Sequence, residues 1–218
     1  MKVTEMACIF GAVTNIPNSC HRILDIGSGT GLLSLMMGQR SAATKITGIE
    51  FERAAYLQSI ENVSSSPYSQ NIEILLEDAR VFTHPQGFDL IISNPPFFEN
   101  QLPSPDFEKN KAWHHETLSL KELLNCVKRN LTKDGHLSVL FPNYRKDEII
   151  NEANSLGLYL SRRVSILHQQ DKPGKVSIFE FSQNSNIDSC FEQFIIKEQG
   201  GYTPSYKNKM NAFYLKDR

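Results

Sequence analysis

No apolar run in this sequence approaches the roughly 18 residues that a membrane-crossing helix requires. The opening Met1-Lys2-Val3-Thr4-Glu5 does not read as a secretory signal. The four cysteines, Cys8, Cys20, Cys126 and Cys190, form no CxxC pair, which argues against a zinc ribbon or a thioredoxin-type redox motif. Scattered cysteines in a chain without a signal fit free thiols in a reducing cytoplasm. An excess of one charge is missing too: 23 Lys and Arg stand against 24 Asp and Glu. That balance excludes a uniformly basic nucleic-acid coat and still permits a local basic patch. There is no internal repeat and no low-complexity tract. What is present is a 40% hydrophobic fraction in 218 residues, ordinary for a globular core and too short for two full-sized domains. A single domain over 1–218 is expected.

Short apolar strands alternate with helix-like stretches, the pattern of a mainly parallel sheet with helices on both faces. Strands are predicted at 22–27, 45–50, 71–76, 88–93 and 135–141, with helices at 30–38, 51–63, 119–130 and 145–156. Gly157 ends the last of these helices. Two further strands, 158–167 and 176–181, flank the turn Lys172-Pro173-Gly174-Lys175 and read as an antiparallel hairpin, which brings the sheet to seven strands. The proline-rich, charged stretch 94–118 is expected to be a loop over the site.

The sharpest local feature is Leu24-Asp25-Ile26-Gly27-Ser28-Gly29-Thr30-Gly31, where a strand gives way to a helix. Glycines there admit backbone angles closed to other residues and let a ligand approach the main chain. The helix start adds unpaired N–H groups and partial positive charge. The spacing is GxGxG, not the GxGxxG of dinucleotide enzymes, and a turn without a ligand would also carry it. Glu50 ends the second strand, where a carboxylate can accept from both hydroxyls of a ribose; capping the next helix is the plainer alternative. Asp78 follows the third strand and is placed either to accept from an adenine amino group or to form an Asx turn.

The fourth strand runs into Ser93-Asn94-Pro95-Pro96-Phe97. Two prolines stiffen the backbone and remove two N–H donors. The Asn94 side-chain oxygen and the Pro95 carbonyl then supply two acceptors. An exocyclic amine on a purine is a poor nucleophile because its lone pair is delocalised. Two acceptors gripping its hydrogens favour a pyramidal nitrogen with the lone pair freed, and rigid placement supplies much of the remaining rate. Phe97 is placed to stack on the base, a contact worth about 1–3 kcal/mol. No strong general base is needed, since the product cation is acidic.

With both motifs at strand ends, the chain resembles the amino-methyltransferases, which use S-adenosyl-L-methionine (AdoMet) on adenine, guanine or protein glutamine. More closely, it resembles the bacterial family that methylates adenine beside the anticodon of a valine tRNA. Met1-Lys2-Val3-Thr4, the glycine stretch through Leu33, Asp89 to Phe98, Leu118-Ser119-Leu120 and Phe213-Tyr214-Leu215 carry the likeness. It implies a Rossmann-like class I fold, AdoMet as cofactor, a tRNA substrate and a cytoplasmic location. Asp25, Gly27, Gly29, Gly31, Glu50, Asp78 and Asn94 are the cofactor-binding set that it implies. Asn94, Pro95, Pro96 and Phe97 would hold the target base. Two departures stand out, Met6 in place of an acidic residue and Trp113 in place of an arginine, and the sequence opens at the Met-Lys-Val stretch, so the family's lead-in is expected to be either absent or cut off by the choice of start. Methylation of protein glutamine or ribosomal guanine is the alternative chemistry, and a non-catalytic RNA-binding module the alternative class.

His114-His115-Glu116 lacks a third ligand at metal-binding spacing and reads as solvated loop, so no metal is expected. Arg162, Arg163 and the lysines of the 172–175 turn form either a phosphate-binding rim, joined by Lys207, Lys209, Lys216 and Arg218, or scattered surface charge. Trp113 stacks on a flipped base or packs.

Overall fold

A computed structural model describes residues 4–42, 44–96 and 118–214. Helix α1 (Glu5–Val13) comes first, capped by the Thr4 side chain, which accepts from the Ala7 N–H. Then follow β1 (Arg22–Ile26), α2 (Leu32–Arg40), β2 (Lys45–Glu50), α3 (Arg53–Ser64), β3 (Ile72–Leu76) and β4 (Phe88–Ser93). After residue 117 come α4 (Leu120–Asn130), β5 (Leu131–Pro142), α5 (Lys146–Ser155), β6 (Tyr159–Leu167), β7 (Val176–Ser182) and β8 (Cys190–Ile195). A two-residue pair, β9 (Lys197–Glu198) and β10 (Gly201–Tyr202), and helix α6 (Pro204–Met210) close the described chain. None of the described helices is long and apolar enough to cross a membrane.

Strands β1 to β8 form one sheet in the order β3-β2-β1-β4-β5-β7-β6-β8. The run from β3 to β5 is parallel, while β7 is antiparallel to both β5 and β6. The predicted hairpin is therefore present. The period-2 alternation of strand side chains sorts the core into two layers. Ile23, Leu90 and Ile178 face Phe10 of α1, Met37 of α2, Val63 of α3 and Met210 of α6. Their neighbours Leu24, Ile91 and Phe179 face Leu123 and Val127 of α4 and Ile149 of α5. This is the Rossmann-like arrangement with helices on both faces.

Three features go beyond the sequence reading. Strand β5 starts at Leu131, earlier than 135, because Leu131 pairs with Phe88 ahead of a register shift; the intervening Thr132-Lys133-Asp134 is too polar to read as strand. An eighth strand, β8, lies parallel to β6 at the sheet edge. Its first four residues are exposed, so no apolar alternation announces it. Helices α1 and α6 are the third. They are short and pack on each other, with the Tyr206 hydroxyl donating to Glu5 at 3.0 Å. The predicted loop over the site lies outside the described residues, except for its ends at 94–96 and 118.

Candidate active site at the carboxyl edge of the sheet

The glycine loop is built by backbone demands. Gly27, Gly29 and Gly31 have φ of 71°, 56° and 81°, a region that costs an L-residue about 1–2 kcal/mol. The N–H groups of Gly27 and Ser28 both donate to the Ile49 carbonyl, at 2.9 and 3.0 Å. The Gly29 N–H donates to Glu50 Oε2 at 2.8 Å. The other oxygen of Glu50 accepts from the Glu52 N–H at 2.8 Å. Glu50 is thus fixed between loop and strand, and the cap of α3 is Glu52, whose oxygens accept from Ala54 and Ala55. Those two bonds hold the Glu52 carboxyl below its usual range.

Asp25 lies beneath the loop with no exposure. Its Oδ2 accepts from Ser34 Oγ at 2.7 Å, while Oδ1 and the buried Ser28 hydroxyl have no hydrogen-bond partner among the described residues. Burial pushes the Asp25 carboxyl up to about 7; hydrogen bonds from Ser34 pull it down and the Glu50 charge adds a further rise.

Ser93 Oγ donates to the Ile26 carbonyl at 2.8 Å, buried, and pins the end of β4 beside the glycine loop. The next residue, Asn94, is half-buried, Pro95 buried and Pro96 exposed. Neither the Asn94 side chain nor the Pro95 carbonyl has a hydrogen-bond partner among the described residues. Both residues face a cavity of about 920 Å³ that runs along the carboxyl edge. That volume is within the range of small-molecule sites.

Gly27, Glu50, Asp78 and Asn94 from the expected cofactor set line this cavity, as do Pro95 and Pro96. Asp25, Gly29 and Gly31 do not. Gly29 holds Glu50, and Gly31 packs on α3, where an added Cβ would lie 3.3 Å from Ser59 Cβ. A Cβ at Gly27 would meet nothing within 4 Å, so the backbone there is open to a ligand. Asp78 forms the Asx turn, its Oδ1 accepting from the Arg80 N–H at 2.8 Å, and it lines the cavity. The same oxygen pairs with Arg80 Nε at 3.0 Å. Phe97, Trp113 and His114-His115-Glu116 lie outside the described residues.

Several lining residues were not foreseen. Phe51, 56% exposed, stands next to Glu50 under the Arg80 guanidinium, 5.5 Å from the ring centre. An aromatic directly after a strand-end carboxylate was an available signal. Thr4, Met6, Leu140, Ile166, Val176 and Ile196 form the apolar far wall. Leu140, Ile166 and Val176 reach it through the pairing of β5, β7 and β6, whereas Thr4 and Met6 arrive with α1 and Ile196 follows β8, two elements that no local pattern announced. Arg162 and Arg163 do not reach the cavity. Arg162 pairs with Glu180 at 3.1 Å and Glu192 at 2.7 Å. Arg163 lies over Phe179 and donates to Ser177 at 3.2 Å and Asn143 at 3.1 Å. Among the described residues, no group of three His, Cys, Asp or Glu is placed to hold a metal.

Residues 12–151 match the family model of the methyltransferase small domain. The chain is 36% identical to a tRNA1(Val) (adenine(37)-N6)-methyltransferase of Dyadobacter fermentans over 99% of its length and 91% of the relative's. It is 35% identical to the enzyme of that name in Bacteroides fragilis, covering 99% and 92%. Among solved structures, a predicted O-methyltransferase from Agrobacterium tumefaciens superimposes with a TM-score of 0.74 at 16% identity, over 97% of this chain and 98% of the other. A TehB-like SAM-dependent methyltransferase from Corynebacterium glutamicum gives 0.54 at 17%, covering 84% and 89%. At those identities the likeness concerns the fold.

Proposed function

This chain belongs to the methyltransferase small domain family and, within it, to that of the tRNA1(Val) (adenine(37)-N6)-methyltransferases; on that premise we propose that it uses AdoMet to methylate the exocyclic amine of an adenine in valine tRNA, beside the anticodon, in the cytoplasm. The observation that carries the reading is that Asn94 and Pro95, whose side-chain and backbone acceptors have no partner among the described residues, line the same cavity as Glu50 and Gly27.

The residues at the β1–β3 end fit AdoMet. Glu50 offers lone pairs to the ribose hydroxyls, and Asp78 accepts from the adenine amine. Phe51 and Ala79 border that end. The open backbone at Gly27 admits the methionine portion. Asp25 and Gly29 act from behind, holding the loop and Glu50. When bound, AdoMet supplies an electrophilic methyl group on a sulfonium. Asn94 Oδ1 and the Pro95 carbonyl accept hydrogen bonds from the two N–H groups of the target adenine's amine. The nitrogen becomes pyramidal, its lone pair is turned toward the cofactor end, and after transfer its excess proton leaves to water. The buried prolyl backbone makes this geometry fixed before the base arrives, so orientation and preorganised dipoles carry the rate enhancement. An adenine within the anticodon loop must be unstacked to enter, and Phe97 follows directly as the residue to stack against it.

The test is transfer of labelled methyl from AdoMet to total tRNA of a strain lacking this modification, followed by nucleoside analysis. N6-methyladenosine in valine tRNA is the expected product. Protein that binds AdoMet and leaves all tRNA unlabelled would overturn the substrate assignment.

A further inference from the structure

We propose that Lys172 and Lys175, on the turn between β6 and β7, hold the RNA phosphates that flank the target adenosine. The inference rests on the tRNA reading above and assigns residues to its substrate half.

Strand order turns the cavity into a linear arrangement. Asp78, Glu50 and Gly27 follow β3, β2 and β1, and Asn94 follows β4. Beyond them lie Leu140 on β5, Val176 on β7 and Ile166 on β6. The charge divides along the same line. Glu50, Glu52, Glu77 and Asp78 line the cofactor end, with Arg80 paired to Asp78. On the far side of Asn94 the charged or titratable lining residues are His168, Lys172 and Lys175. The carboxylate of that turn, Asp171, does not line the cavity. A cationic cofactor and a polyanionic substrate would each find the opposite charge at its own end.

The two lysines are exposed, and neither ammonium has a hydrogen-bond or ion-pair partner among the described residues. The backbone that carries them is nonetheless fixed. The Asn143 N–H donates to the Lys175 carbonyl at 2.9 Å, and Asn143 Nδ2 donates to the Gly174 carbonyl at 2.6 Å. A Cβ at Gly174 would lie 2.7 Å from the Ile166 carbonyl, so the turn sits flat against β6. Strands are spaced about 4.8 Å apart, which puts β7 roughly 10 Å from β4, on the scale of one nucleotide. The base at Asn94 then lies with its sugar along the apolar wall and its phosphates at the turn. Phosphate contacts of this kind position the substrate without reading sequence. Arg162 and Arg163, also candidates from the sequence, are committed to carboxylates and to Phe179 as described.

The test compares the parent with a K172E/K175E double variant, using a valine tRNA transcript, fluorescence anisotropy and a salt titration. A control variant, Lys133→Glu, removes a positive charge at the opposite edge of the sheet. The double variant should bind tRNA at least ten-fold more weakly, with a salt slope shallower by about 1 to 2, as for two lost single-strand phosphate contacts. AdoMet affinity and thermal midpoint should match the parent. Unchanged tRNA affinity, or an equal loss in Lys133→Glu, overturns the assignment. Methyl transfer by the parent, measured on the same transcript, reports separately on the function. A parent that neither binds nor methylates the transcript overturns both.

Discussion

The backbone N–H of Gly29 donates to the Glu50 carboxylate across 2.8 Å, joining the glycine loop to the end of β2. One side chain therefore shapes the loop and faces the ligand cavity. Glu50→Ala should weaken AdoMet binding about 10- to 100-fold, the scale of losing hydrogen bonds to a charged group. Glu50→Gln keeps one acceptor and should lose less. Calorimetric titration checks the order; equal affinity of Glu50→Ala and parent would exclude a ribose role.

The Asn94 side chain makes no hydrogen bond among the described residues, so its removal costs the fold little. Asn94→Ala should lower single-turnover methyl transfer by at least about 100-fold, as for loss of one preorganised group in a transition state. AdoMet affinity should stay within a few-fold of the parent. Normal turnover in this variant would remove Asn94 from the chemistry.

Burial raises the Asp25 carboxyl from 3.8 to about 7, so between those values the folded protein holds it protonated. The folded protein keeps a proton that the unfolded chain sheds, so this group's contribution is complete below about pH 4. It is lost as pH rises toward 7. Asp25→Asn keeps an acceptor for Ser34 and cannot ionise. Its stability relative to the parent, from urea midpoints, should rise between pH 4 and 7 and level off above. A difference independent of pH would contradict the buried, neutral carboxyl.

Gly27 and Gly31 share a left-handed backbone and differ in what surrounds them. Gly31→Ala adds contact with Ser59 to a strained φ and should lower stability by about 1–2 kcal/mol, with little effect on AdoMet affinity per folded molecule. Gly27→Ala carries the same strain and also fills space at the cavity wall, so it should weaken AdoMet binding as well. Thermal unfolding with and without AdoMet separates the two.

Residues 45–50 and 88–93 were legible as strands because short segments centred on Ile46 and Ile49, and on Phe88, Leu90, Ile91 and Ile92, alternate with helix-like stretches. Gly27, Glu50 and Asn94 were legible as candidates because each lies at or just past the end of a strand, and a parallel sheet gathers strand ends at one edge, where all three line the cavity. Asp25 was legible only as part of a motif. Its position behind the loop depends on Ser34, a contact between a strand and the next helix.

The sequence by itself determined the order of β1 to β7 and of α2 to α5, the glycine loop and the stiff Asn94-Pro95-Pro96 corner, since these are local consequences of side-chain periodicity and backbone sterics. Tertiary structure alone decided which basic residues face the cavity. Arg162 and Arg163 lie beside Glu180, Glu192 and Phe179 only because β6 pairs with β7 and β8. Lys172 and Lys175 border the cavity because Asn143, at the end of β5, binds their turn. Charge is a property of the residue, whereas its availability is a property of its neighbours, and those neighbours are distant in the chain.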